Sequence, residues 1–163
     1  HAVLCAKRAV GNDPFAVLLA DDFIVCEEKG VTSDLVSAFE KNSKIQLSVM
    51  EIFGSEISNY GVVQYNPINR KVEGLVEKPE ENLAPSNSAS IGRYVLTAEI
   101  FDILENQTVG KGGEIQLADA INILAKENKV ETVKLKGNRF DCGSVKGYLA
   151  GINFVANKLK INN

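Results

Sequence analysis

The sequence predicts an α/β fold, and three of its features carry that expectation. Two short apolar runs, "PFAVLLA" (14–20) and "IQLSVMEI" (45–52), enclose a polar stretch in which apolar residues recur at helical spacing. Strand, helix, strand is the unit of a parallel α/β sheet. Residues 61–100 then change character to short β-rich segments separated by turns, and two further helical patterns follow toward the C-terminus. A chain of 163 residues, 45% hydrophobic and 24% charged, suffices for one compact domain, and 1–163 is read as one.

Each element has its own reason. The run at 14–20 is continuous and bounded by polar residues, as in a central strand buried on both faces. In "VTSDLVSAFEKNSK" (31–44), Leu35, Val36 and Phe39 share one side of a helix, and Thr32 or Ser33 stands where an N-cap is wanted. "IQLSVMEI" is the next buried strand. "GVVQYN", "KVEGLVEKP" and "IGRYVLTAEI" read as a strand meander with turns at Asn66-Pro67, Pro79 and Pro85. "GGEIQLADAINILAKEN" (112–128) sets Ile115, Ala118, Ile121, Leu124 and Ala125 at helical spacing, with Glu114 and Asp119 in early turns, where carboxylates suit the helix dipole. "VETVKLKG" alternates as a strand, and "NRFDCGSVKGYLAG" is a turn into a last helix whose Lys158 and Lys160 mark a solvated face.

Composition excludes several classes. A net charge of −3 gives no basic footprint for a phosphate backbone, which argues against a nucleic-acid partner. Cys5, Cys26 and Cys142 are scattered, without C-x-x-C spacing, so neither a disulfide framework nor a zinc site is expected and a reducing cytoplasm is the natural setting. No apolar run approaches the roughly 20 residues that span a bilayer, so no membrane partner is expected. The single histidine, His1, is terminal and cannot anchor a Ser/His/Asp or Cys/His arrangement.

Several residues carry possible chemistry, each with a plain alternative. Asp21-Asp22 falls where a buried strand reaches its C-terminal end, the edge at which open α/β sheets bind ligands, and it reads equally as a solvated turn. Asp141 lies in "FDCGSVKGY" beside Gly143, where backbone can approach a ligand. In "VEKP", Glu77 and Lys78 end a strand at Pro79; a carboxylate for sugar hydroxyls beside an ammonium for a phosphate would make a sugar-phosphate site, and an exposed edge pair is the other reading. Adjacent strand residues face opposite ways, so both can serve one pocket only if the strand bends. Gly61 marks a strand entrance or a turn.

Taken in order, "HAVLCAKRAVGNDPFAVLLADDFI", "YGVV", "GLVEKP", "PSNSASIGRYVL", "GGEIQLADAI" and "FDCGSVKGY" closely resemble the bacterial UTP:glucose-1-phosphate uridylyltransferases, members of the sugar nucleotidyltransferases. The resemblance covers essentially the whole chain. It implies a partial Rossmann-like nucleotidyltransferase core, a mixed sheet with flanking helices, plus a β-rich sugar-binding portion. It also implies UTP and α-D-glucose 1-phosphate as substrates, giving UDP-glucose and pyrophosphate. Asp21 and Asp141 match the family's Mg2+ ligands, Glu77 the residue that bonds glucose hydroxyls, Lys78 the one that holds the sugar phosphate, and Gly61 a backbone contact to the sugar. Glu114 and Gln116 match the family's helix start and are read as structural.

One departure is large. The family's G-x-G-T-R-x-x-P loop, which cradles the UTP phosphates, is not present, so the chain is expected to be the C-terminal part, somewhat more than half, of such an enzyme and inactive by itself. Exposed apolar strand faces would then favour a homo-oligomer. Two other readings stay open: a nucleotidyltransferase using dTTP, GTP or ATP, and a non-catalytic sugar-phosphate-binding module.

Overall fold

The computed structural model of the chain describes residues 1–108 and 115–160. Two short helical turns, α1 (Ala2–Cys5) and α2 (Lys7–Val10), lead into β1 (Phe15–Leu18) and β2 (Asp22–Val25). Helix α3 (Val31–Asn42) and strand β3 (Ile45–Glu51) follow, then β4 (Gly61–Tyr65), β5 (Val72–Glu77) and the nine-residue β6 (Ser88–Leu96). Helices α4 (Glu99–Asn106) and α5 (Leu117–Lys126), strands β7 (Val130–Lys134) and β8 (Asn138–Asp141), and helix α6 (Val145–Lys158) complete the chain.

The main sheet has the order β5-β4-β6-β3-β7 and is organised around β6. One edge of β6 pairs with β3; along the other, β4 takes Ala89 and Ser90, and β1 takes Arg93 to Leu96. Among the described residues, only β3 and β7 form a parallel ladder. The strand, helix, strand unit therefore differs from the one expected. Strands β1 and β3 are both antiparallel to β6, which lies between them. Nor is β1 a doubly buried central strand: its residues alternate between half-buried and exposed, and among the described residues it pairs with β6 alone.

Alternation along β6 sorts the core. Leu96 joins Ile100, Phe101, Leu104, Ile121 and Leu124 beneath α4 and α5, and its neighbour Val95 joins Val31 and Leu35 beneath α3 on the other face. Phe15 stacks on Phe101 with ring centroids 4.9 Å apart. Full burial of such side chains contributes roughly 1.5–3 kcal/mol each, which is ample to hold the sheet and helices together.

Local differences from expectation have simple causes. Helix α3 starts two or three residues earlier than an N-cap at Thr32 or Ser33 would place it, because Gly30 takes the extended cap position. Val36 points outward while Leu35 is buried. "TAEI" leaves the strand and opens α4, whose Ile100 and Leu104 stand four apart on the buried face. "NRFD" is a strand, not a turn: β8 pairs with β2 to form a separate two-stranded ribbon. Helix α5 is described from Leu117; Glu114 lies outside the described residues. Among the described residues, no helix is long and apolar enough to cross a membrane.

Candidate active site

The ribbon places Asp22 directly opposite Asp141, and the chain turns immediately before the one and after the other. Asp21 and Asp141 are both exposed, and they converge on Gly143: a methyl group on Gly143 would sit 3.1 Å from an Asp141 oxygen and 3.2 Å from an Asp21 oxygen. The turn is built for this. The Gly143 N–H donates to Asp141 Oδ1 at 3.1 Å, and the Cys142 N–H donates to the Asp21 carbonyl at 2.8 Å. Ser144 caps α6 by accepting from the Gly147 N–H at 3.0 Å, while its hydroxyl donates to the Asp141 carbonyl. Gly147 approaches so closely that a Cβ there would collide with that carbonyl. "DCGSVKG" is therefore a helix entry shaped to present Asp141.

Asp22 has the opposite environment. Its side chain is only 4% exposed, its carboxylate accepts from the Gly92 N–H and from Nε of Arg139, and it forms an ion pair with Nη2 of the same guanidinium. Arg93 Nη2 donates to the Asp22 carbonyl at 2.9 Å. Burial opposes the charge on Arg139, but the adjacent Asp22 carboxylate and its hydrogen bond outweigh it, so the guanidinium is held above its ordinary range. The Arg139 Nη1 donates to the Tyr60 hydroxyl at 2.7 Å.

A second group gathers on β4 and β5. Gly61 pairs in register with Glu77 on one side and Ser90 on the other. A methyl on Gly61 would lie 3.1 Å from a Glu77 carboxylate oxygen, so that carboxylate arches over bare backbone. Both residues line a cavity of about 460 Å³ together with Leu19, Leu75, Tyr94 and the start of α5, Gln116 included. Burial pushes the Tyr94 phenol above its usual range, with the Asp22 and Glu77 carboxylates adding to the shift, so the wall at Tyr94 is a neutral hydroxyl. Lys78 resolves the question of strand alternation. It has a left-handed backbone, φ 44°, its N–H donates to the Tyr60 carbonyl at 3.0 Å, and the strand ends at Glu77 before it. The alternation rule no longer governs it, though Lys78 does not line the cavity.

The structure thus brings Asp21 to Asp141 and Gly61 to Glu77, and leaves Lys78 outside the lining of the cavity that the second pair shares. It also gives parts to Asp22, Arg139 and Tyr60, to which the sequence motifs assign no role. A signal for Arg139 exists in the sequence, since it stands two residues before Asp141, the spacing that shares a strand face; reading "NRFD" as a turn hides it.

Among the described residues no three His, Cys, Asp or Glu side chains cluster as a closed metal cage. Two convergent, exposed carboxylates instead suit a hard cation of the Mg2+ type, which takes one or two carboxylates and completes its shell with water and phosphate oxygens.

Comparison with known proteins defines the class. The nucleotidyl transferase family matches residues 1–158, and the chain belongs to that family. Within it, the chain is 44% identical over 158 residues to the UTP–glucose-1-phosphate uridylyltransferase of Pseudomonas aeruginosa, covering 94% of this chain and 57% of that protein. Two solved structures superpose closely: an apo UDP-glucose pyrophosphorylase (TM-score 0.90, 38% identity, 97% of this chain and 59% of that one) and a UDP-glucose pyrophosphorylase complexed with UDP-glucose (TM-score 0.89, 38% identity, 97% and 62%). The chain therefore spans somewhat more than half the length of the relatives it matches. Enzymes of this family generally use a divalent metal.

Proposed function

We propose that this chain supplies the cation site and the sugar subsite of an enzyme that transfers the uridylyl group of UTP to α-D-glucose 1-phosphate, giving UDP-glucose and pyrophosphate. The observation that carries the reading is the convergence of Asp21 and Asp141 on the bare backbone of Gly143, on the same molecule as a Gly61/Glu77 cradle. The likeness to uridylyltransferases and to a complex with UDP-glucose supports the choice of nucleotide and sugar.

In this reading Asp21 and Asp141 hold Mg2+, which supplies neutralisation of phosphate charge. The Glu77 carboxylate accepts hydrogen bonds from sugar hydroxyls, and Gly61 lets the sugar approach the main chain. Lys78, turned out of the strand by its left-handed backbone, offers its ammonium to the sugar phosphate. A phosphate oxygen of the sugar then attacks the α-phosphorus of UTP in line as the bond to pyrophosphate breaks, so the protein's work is positioning and charge stabilisation.

The reading extends to the setting. Free thiols at Cys5, Cys26 and Cys142 fit a reducing cytoplasm, and the acidic balance fits small anionic substrates carried with a cation better than nucleic acid. The 163 residues act as one domain. Leu18, Leu19 and Phe23 are exposed, and among the described residues β1 pairs with β6 alone, which favours a homo-oligomer.

Calorimetry of the chain with glucose 1-phosphate, with and without Mg2+, tests the subsite: binding that strengthens with Mg2+ is expected, and binding indifferent to the metal would favour a plain sugar-phosphate module. In the enzyme that carries this chain, Asp141→Ala should cost several kcal/mol of barrier, and turnover within about twofold of the wild type would overturn the metal assignment.

A further inference from the structure

The ribbon bearing Asp21 and Asp141 is not part of the main sheet, yet the Gly61/Glu77 cradle is. Something must set the distance between them. Among the described residues, Arg139 and Asp22 form the one buried ion pair, with side chains 11% and 4% exposed. Arg139 serves both sides at once. Its Nε and Nη2 face Asp22, the residue next to Asp21 and opposite Asp141. Its Nη1 donates to the Tyr60 hydroxyl, and its guanidinium carbon lies 5.2 Å from the centre of the Tyr60 ring. Tyr60 in turn precedes Gly61 and accepts the Lys78 N–H on its carbonyl. One planar fork therefore runs from Asp22, the neighbour of the carboxylate pair, to Tyr60, which borders the two residues that open and close the sugar cradle. A lysine, with a single compact ammonium, cannot reproduce that fork.

We infer that Arg139 is a positioning residue that couples the Asp21/Asp141 cation site to the Gly61–Lys78 sugar cradle through Asp22 and the Tyr60 hydroxyl. The inference rests on reading Asp21 and Asp141 as cation ligands. A cation held by Asp21 and Asp141 would fix the position of the ribbon that carries them, and the Arg139 fork would pass that change to the backbone around Tyr60. Binding at either site is then felt at the other, as reciprocal linkage requires.

The test is amide NMR of the chain as MgCl2 is added, comparing wild type with Tyr60→Phe, which keeps the ring and the buried ion pair and deletes only the acceptor. In the wild type the Gly143, Gly61 and Lys78 amides should move with one common midpoint. In Tyr60→Phe the Gly143 response should keep its midpoint, the Gly61 and Lys78 responses should be lost, and the melting temperature should stay unchanged. Arg139→Lys should likewise silence Gly61 and Lys78. If Gly61 and Lys78 still respond in Tyr60→Phe, or are silent in the wild type while Gly143 moves, the coupling is wrong and the cation reading survives. A lowered melting temperature with shifts spread across the whole sheet would make Tyr60 a structural contact and overturn the inference. A silent Gly143 in the wild type would overturn the cation reading and the coupling with it.

Discussion

The ribbon and the main sheet are held by different physics. Around β6 the chain buries Leu47, Leu96, Ile100, Phe101, Leu104 and Ile121 almost completely, so the cradle strands rest on a contiguous apolar core. The ribbon has Phe23, Phe140 and Phe154 in tilted contact on one side, and on the other a single buried ion pair with its hydrogen bonds. Packing tolerates small changes gradually, whereas a buried charge without its partner is severely penalised. The region that carries the two exposed carboxylates is therefore the one whose placement depends on a few polar atoms.

That contrast can be broken most forcefully at Asp22. Asp22→Ala strands the Arg139 guanidinium in a buried site and should cost about 3–5 kcal/mol, read as a fall in the denaturation midpoint. The same truncation at adjacent Asp21 should leave stability nearly unchanged; equal losses at both positions would erase the distinction. Within the main sheet, Phe101→Ala removes a fully buried ring stacked on Phe15, and a loss of about 3–5 kcal/mol by cavity formation is expected from the same unfolding measurement.

A smaller effect is expected at the join. A Cβ on Gly92 would meet an Asp22 oxygen and the Leu19 side chain at 2.6 Å each, so Gly92→Ala should destabilise by about 1–3 kcal/mol through overpacking. Smaller still in stability is Asp141→Asn. The amide oxygen can keep the Gly143 N–H bond, so unfolding should change by no more than about 0.5 kcal/mol while calorimetric Mg2+ binding weakens sharply. Gly61→Ala sharpens the cradle's half of the comparison: the new methyl crowds the Glu77 carboxylate, and glucose 1-phosphate binding should weaken while Mg2+ binding is retained.

Much of the architecture is legible in the sequence, for reasons that particular residues make plain. Leu35, Ile121 and Leu124 are buried as their helical spacing foretells, and β3 is buried over most of its length as its unbroken apolar run suggests. The run at 14–20 misleads because a continuous apolar stretch does not say how many neighbours a strand has; Leu18 and Leu19 stay exposed. Strand β8 escapes a local reading because four residues flanked by turn formers carry too little alternation to register as a strand.

By itself, the order of residues determined the family, the helices with a clear apolar stripe, and the candidate residues Asp21, Gly61, Glu77, Lys78 and Asp141, because motifs and periodicity are properties of neighbouring positions. Only the tertiary structure decided how Asp21 and Asp22 divide their roles. Side by side in the chain they are chemically identical, and a half-turn of backbone sends one carboxylate toward solvent and Asp141 and the other into a buried pairing with Arg139. That division depends on β8 arriving opposite β2 from a distant part of the chain, a contact that no local pattern encodes.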